Sequence, residues 1–354
     1  MRFLGFIVTA FSLASQFLSA AAFTNPIKDP NGSDPFMVYH EGYYYLMTTT
    51  WSDLQISRGA TIQELKDATP KVVWTDTTAE RCCNVWAPEI HWSGNYLLML
   101  PMPNEGAWFM YATRAFSPRQ FSDHQLSYYS AGTADTLDNQ KLHVLKGSSN
   151  IIWDSEWSYA GRIVIPNRDV WAIDGTVLIV GDNRYLVYSS WDGDYQSLWI
   201  SAMNSATEVG NTVKIATPTY DWEKVGTYVN EGPAGLYNGG RTYIVYSASG
   251  CAGTGYKLGL LELTGSDPLS ASSWTKSSEP IFTSANGVYQ PGHNGFFTSP
   301  SGGQIWNVYH ASPASPGACD GSRFTNVQPV SFDSNGYPNL GSPLALSSEI
   351  AEPA

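Results

Sequence analysis

Short stretches in which apolar and aromatic residues alternate with polar ones, each broken by a Gly, Asn or Asp turn, recur along the chain. The first runs Ser33-Asp34-Pro35-Phe36-Met37-Val38-Tyr39-His40, turns at Glu41-Gly42, and continues Tyr43-Tyr44-Tyr45-Leu46-Met47-Thr48. An alternating run, a tight turn and a second aromatic run read as two short paired strands. The phrase returns four times: from Trp86-Ala87-Pro88-Glu89 to Tyr96-Leu97-Leu98, from Asp174-Gly175 to Tyr185-Leu186-Val187-Tyr188, from Glu231-Gly232-Pro233 to Tyr243-Ile244-Val245-Tyr246-Ser247, and from His293-Asn294-Gly295 to Trp306-Asn307-Val308-Tyr309-His310. In each copy the opening residue precedes the centre of the aromatic strand by about eleven to thirteen residues, a fixed phase that marks an internal repeat. Further strands are expected at Leu198–Met203, Tyr256–Leu263 and Asn326–Phe332, and in the second copy at Tyr96–Leu100 and Trp108–Ala112. The one helical piece is Thr61–Ala68.

Each unit offers three or four short strands over roughly sixty to seventy residues, too few to bury both faces of its own sheet. Five such units fill residues 23–354 with no linker and no low-complexity tract. They predict an all-β chain folded as a single five-bladed β-propeller, with a β-sandwich of coincidentally Tyr-rich strands as the alternative. Equivalent positions of a radial repeat point the same way. Asp34, Asp174, Glu231 and His293 are therefore expected to converge near the axis.

Residues 1–22 have a basic start, an apolar run interrupted by Ser12, Ser15 and Gln16, and a small-residue end. That is the pattern of a secretory signal peptide rather than of a membrane span. A secreted, extracellular protein with no membrane partner is expected, acting as a monomer. Aromatic and charged residues each make up 14% of the chain, with 32 Gly and 21 Pro, a turn-rich β composition. A net charge of −12 without any basic stripe excludes nucleic acid as a partner.

The four cysteines, Cys82, Cys83, Cys251 and Cys319, should be oxidised in an exported chain. Cys251 and Cys319 follow the aromatic strands of the fourth and fifth copies, in equivalent neighbouring loops where a bridge can form. Cys82 and Cys83 then either stay free or close a vicinal bridge, which an oxidising compartment favours. Asn31-Gly32-Ser33 is a glycosylation sequon, expected to be unoccupied or directed sideways so close to Asp34.

Asp34, Asp174 and Glu231 each stand beside Pro or Gly. One such acid reads most simply as a turn cap. Three in phase gather charge at one axis, where repulsion and burial raise at least one pKa. One raised and one ordinary carboxyl are what hydrolysis of a glycosidic bond requires. Asp34-Pro35 before a Tyr-rich strand, Trp86-Ala87-Pro88-Glu89-Ile90, Ile173-Asp174-Gly175, Asn230-Glu231-Gly232-Pro233, Gly292-His293-Asn294-Gly295 and the run Gln328 to Pro338 follow one another in that order. In this the chain resembles glycoside hydrolase family 43, over nearly its whole length after the leader. The stretches Leu54-Gln55-Ile56-Ser57-Arg58 and Val72-Val73-Trp74 look most like its exo-arabinofuranosidase branch. The resemblance implies a five-bladed propeller that hydrolyses arabino- or xylo-saccharides with inversion. It also implies that Asp34 is the general base, Asp174 the pKa modulator and Glu231 the general acid.

His293 has two readings, a satisfied structural histidine or, as the resemblance implies, a contact to a central ion or water. One imidazole is a poor calcium ligand set, so an axial calcium ion would be held mostly by water; no cofactor is required for catalysis. Arg323 matches a family arginine that contacts substrate and an active-site carboxylate. Trp86 and Trp191 are candidate apolar walls for a furanose ring, with ordinary blade packing as the alternative, and Trp51 is a weaker candidate. A Cys82–Cys83 bridge just before Trp86 would also touch substrate. The expected activity is an exo-acting α-L-arabinofuranosidase on a plant cell-wall polysaccharide or oligosaccharide, arabinan or arabinoxylan. An endo-α-1,5-L-arabinanase or β-xylosidase on the same scaffold, and a non-catalytic sugar-binding propeller, are the rivals.

Overall fold

The computed structural model describes residues 22–92 and 125–354. Five four-stranded antiparallel sheets form the blades of a β-propeller. Blade I comprises Phe36–His40, Tyr43–Met47, Leu54–Gly59 and Lys71–Trp74; blade II comprises Cys83–Trp92, Gln125–Gly132, Lys141–Gly147 and Trp157–Arg162. Blade III is Ile173–Val180, Asn183–Asp192, Tyr195–Met203 and Val209–Ala216; blade IV is Asn230–Asn238, Arg241–Ala248, Lys257–Leu263 and Trp274–Lys276. Blade V is Tyr289–Thr298, Ile305–Ser312, Phe324–Phe332 and Pro338–Asn339. The predicted helix forms over Ile62–Asp67, where the Thr61 hydroxyl accepts from the Glu64 amide as N-cap.

Blade II differs from expectation. Its innermost strand pairs with Gln125–Gly132, so that Trp92 faces Gln125 and Glu89 faces Tyr128. The strands expected at Tyr96–Leu100 and Trp108–Ala112 lie outside the described residues. The physical reason is burial on both faces. Leu126 and Tyr128 enter the core shared with blade III, while Tyr129 and Ala131 enter the core shared with blade I.

The same alternation runs through every second strand. Along Arg241–Ala248, Ile244 and Tyr246 pack toward blade III, and Tyr243 and Val245 toward blade V. Successive side chains of a strand leave on opposite faces, so a blade with neighbours on both sides needs the nearly unbroken apolar run seen in the sequence. The buried residues fall into five clusters, one at each interface between neighbouring blades. Each large apolar side chain buried there contributes about 1.5–3 kcal/mol, and none of that is available to an isolated blade. The ring closes where Ala22–Phe23 pairs with Ile350–Ala351. The lead-in then follows blade V, with Ile27 N donating to Thr325 O and Gly32 N to Arg323 O.

Near the start of each innermost strand an equivalent position is in the left-handed region: Asp34 (φ 51°), Ala87 (44°), Asp174 (56°), Gly232 (53°) and His293 (39°). In blades II to V the pairing register shifts across this residue, as at a β-bulge. The five positions are joined blade to blade by hydrogen bonds. Ala87 N donates to Thr49 Oγ1 (2.9 Å), Asp174 N to Ser130 Oγ (3.1 Å), Gly232 N to Asp174 Oδ2 (3.0 Å), His293 N to Ser247 Oγ (2.6 Å) and Asp34 N to His310 Nδ1 (3.1 Å). In blade III, Ser189 holds the place of the other hydroxyls but turns to Asn230 O, and the Asp174 carboxylate takes over its link.

This corrects one expectation. Asp34, Asp174 and His293 are equivalent, but the equivalent residue of blade IV is Gly232, and Glu231 stands one position earlier. The Cβ of any other residue at Gly232 would crowd the His293 ring, so this bulge takes glycine and the acid sits beside it.

Candidate active site

The four residues expected to converge do so. Asp34 is almost enclosed. Its Oδ2 accepts from Thr49 Oγ1 at 2.6 Å, while Oδ1 faces Arg323 Nη1 (3.3 Å), His293 Nδ1 (3.3 Å) and His310 Nδ1 (3.2 Å). Burial alone would raise the pKa of this carboxyl. Arg323, His293 and His310 outweigh it and hold the group well below the usual carboxylate range. Arg323, itself buried, is oriented through Nε by Asp320 O. His310 is pushed down to about 4, by burial first and then by Arg323, and is therefore a neutral ring. In one tautomer its Nδ1 accepts from the Asp34 amide, in the other it donates to the Asp34 carboxylate, and in both it fastens Asp34.

Glu231 has different company. Tyr256 Oη donates to its Oε1 at 2.8 Å and Gln196 Nε2 to its Oε2 at 2.9 Å. Its pKa is raised by burial and by the charge of Asp34, against the pull of His293, Tyr256 and Gln196. Asp174, which accepts from Gly232 N, is raised to about 7 by burial, with Glu231 and Asp34 adding and His293 opposing. The two carboxyls interact, so the pair shares a proton into the neutral range. Burial works against a charge on His293, but Asp174, Asp34 and Glu231 more than offset it and raise its pKa.

The side chains at the axis do not by themselves form a calcium site. His293 directs Nδ1 at Asp34, whose Oδ1 is already shared with Arg323 and His310. Among the described residues no group of three or more His, Cys, Asp or Glu side chains could hold a metal ion, whereas calcium takes six to eight oxygens.

The expected walls lie on two sides. Trp86 meets Trp51 edge to face at 5.9 Å, and its neighbour Ala87 is tied to Asp34 through Thr49. Cys82 and Cys83 are bridged, with Cys83 opening the strand that carries Trp86. Cys251 and Cys319 are bridged as well, their Cα atoms 5.4 Å apart. Trp191 is 37% exposed and lies opposite Gln196, the residue that reaches Glu231. The rings of Tyr195 and Tyr228, 39% and 42% exposed, stack at 5.5 Å beside that glutamine, whose amide donates to Tyr228 O.

Sequence reasoning missed Thr49, Gln196, Tyr256 and His310. For two of them a signal exists: the last Tyr of an aromatic strand is followed by Ser or His at Tyr129-Ser130, Tyr188-Ser189, Tyr246-Ser247 and Tyr309-His310, the position from which Thr49 and His310 act.

The chain is similar to known proteins over this whole architecture. The family model for Glycosyl hydrolases family 43 matches residues 23–338. An extracellular exo-α-(1→5)-L-arabinofuranosidase of Streptomyces avermitilis is 32% identical over 92% of this chain, which spans 64% of that protein's length. An α-L-arabinofuranosidase 43 of Humicola insolens is 29% identical over 96% of this chain and 69% of its own. The crystal structure of an α-L-arabinofuranosidase from Lactobacillus brevis superposes with a TM-score of 0.78 at 25% identity, covering 92% of this chain and 98% of that one. A five-bladed propeller with its carboxylates gathered at the axis and a family match over most of its length has one conclusion: the chain belongs to glycosyl hydrolases family 43.

Proposed function

We propose that the protein is a secreted, inverting, exo-acting α-L-arabinofuranosidase that removes arabinose from plant arabinan or arabinoxylan. The observation that carries this reading is the opposite proton affinity of carboxyls on one axis, with Asp34 held ionised and the Asp174–Glu231 pair retaining a proton. Asp34 is the general base. Three groups crowd its Oδ1, whereas Oδ2 meets Thr49 alone, which leaves Oδ2 a lone pair for a proton from water. The water oxygen bonds to the anomeric carbon as the bond to the leaving oxygen breaks, and Glu231 gives its proton to that oxygen. Exchange with solvent then returns both carboxyls to their starting states. Asp174 orients the bulge beside Glu231 and, in the state where it carries the charge of the pair, favours the proton on Glu231.

Trp86 and Trp191 wall the sugar. The vicinal bridge of Cys82 and Cys83 stiffens the approach to Trp86. The leader, and relatives named extracellular, support secretion.

The test is turnover of nitrophenyl α-L-arabinofuranoside beside the β-D-xyloside, followed by NMR of the first sugar formed. Preference for the arabinofuranoside and initial release of β-arabinose are expected. Preference for the xyloside would mean a β-xylosidase, early internal cleavage of arabinan an endo-arabinanase, and binding without turnover a sugar-binding propeller. Initial release of the α-anomer would remove Asp34 as a base acting through water.

A further inference from the structure

The loop that follows the second strand of blade IV leaves its own sheet and leans on blade V. Its Gly253 exchanges both backbone hydrogen bonds with Gly317, and Cys251 is bonded to Cys319. The loop ends on Tyr256, which is buried. Two contacts of Tyr256 point in different directions. Its Oη donates to Glu231 Oε1 at 2.8 Å. Its ring lies parallel to that of His310, with centroids 5.5 Å apart and planes 9° from parallel. His310 in turn meets Asp34 at the amide (3.1 Å) and at Oδ1 (3.2 Å). A side chain on Gly292 would overlap the Tyr256 ring, so the residue before His293 is kept small where this ring passes.

We infer that Tyr256 is a positioning residue that joins the acid of the proposed reaction to its base, its hydroxyl fixing Glu231 and its ring, through His310, fixing Asp34. The inference rests on the roles proposed above. Glu231 begins the reaction protonated and ends it as a carboxylate. The Tyr256 O–H and the Gln196 N–H both favour the carboxylate form, so they strengthen Glu231 as an acid. His293 acts in the same direction, and burial with the charge of Asp34 acts against it. Loss of the Tyr256 hydroxyl therefore leaves a weaker acid of higher pKa. Leaving groups that cannot depart without a proton feel that loss, and those that depart as stable anions do not.

Tyr256→Phe keeps the ring and its stack and removes only the hydroxyl. Against a series of aryl α-L-arabinofuranosides and an arabino-oligosaccharide, kcat/KM is expected to fall about 10–100-fold for the poorest leaving groups and less than about 3-fold for dinitrophenol. The alkaline limb of the pH profile should move upward. His310→Asn, which withdraws the ring from Asp34, should lower all leaving groups alike. An equal loss across the series in Tyr256→Phe, or an unmoved alkaline limb, overturns the inference. Should the Phe variant not fold by circular dichroism, Gly292→Ala, whose Cβ displaces the whole ring, should lower every leaving group and the poorest ones most; a loss equal across the series overturns the inference. If the wild-type protein cleaves no member of the series, the functional reading falls and this inference with it; an active wild type with uniform loss in the variant removes Tyr256 alone.

Discussion

The two sides of the propeller mouth treat the same functional group in opposite ways. On the side formed by blades V and I, Asp34 meets Arg323, His293 and His310, and its proton is driven off. On the side formed by blades III and IV, Glu231 meets two uncharged donors, Tyr256 and Gln196, and the second carboxyl, Asp174, stands nearby. Burial is severe on both sides, so burial does not distinguish them. The difference is the number of cationic or ring nitrogens within reach, and these arrive from neighbouring blades rather than from the strand that bears the carboxyl. A radial fold can thus build an acid and a base from near-equivalent positions and differentiate them through the adjoining blades.

The sharpest break of that contrast comes from the carboxyls themselves. Asp34→Asn should cut kcat by about a thousand-fold or more on every substrate, whereas Glu231→Gln should do so for poor leaving groups and spare much of the activity on dinitrophenyl glycosides. Matching profiles for the two variants would mean that the sides are not chemically distinct. A milder change removes the cation: Arg323→Gln should raise the pKa of Asp34, shift the acidic limb of kcat/KM to higher pH and cost about 10–100-fold at acid pH. An acidic limb that stays in place would show that Arg323 does not set the base.

A smaller effect concerns what lies beyond the acid. In the inverting reaction proposed above the leaving group is on the side of Glu231, so Tyr228→Ala, which dissolves the Tyr195–Tyr228 stack, should raise KM for arabino-oligosaccharides about 3–10-fold and leave it unchanged for nitrophenyl arabinofuranoside. Equal change in both would move the stack away from the leaving group. The last effect is on stability. Because Asp174 is raised to about 7 in the fold from an ordinary value of 3.8, the folded state holds a proton that the unfolded chain releases, and stability falls as pH rises through that window. Asp174→Asn lacks this loss, so its Tm relative to wild type should climb between pH 4 and pH 8. A constant difference in Tm would show that Asp174 is not the strained carboxyl.

Much of this is legible in the sequence. The fixed phase of the aromatic strands predicted the blades, and residues 34, 174 and 293 do share one backbone conformation. Both disulfides followed from loop equivalence and elimination. What the sequence hid came from contacts between blades. Tyr256 and Gln196 begin third strands or precede them, His310 ends a second strand, and no periodicity within a strand says which neighbour it will touch. The partner of the blade II strand was hidden because Tyr96-Leu97-Leu98 occupies the spacing that Gln125–Gly132 fills in space. Glu231 was placed in phase with Asp34 although Gly232 is the true counterpart; a one-residue offset disappears when repeats are aligned by their aromatic centres.

The ring of left-handed residues has a consequence for how such an enzyme evolves. Four of the five, Asp34, Ala87, Asp174 and His293, are not glycine, and each such residue costs the fold about 1 kcal/mol or more. On the roles proposed above, selection for heat resistance without substrate would therefore drift toward glycine at 34, 174 and 293 and arrive at a sturdier, inert protein. Ala87 is the position where that drift carries no catalytic penalty, because its side chain is a methyl and only its amide joins the ring. Ala87→Gly should raise Tm slightly and leave turnover alone, so that blade II could follow blade IV, where Gly232 already stands, without setting robustness against activity.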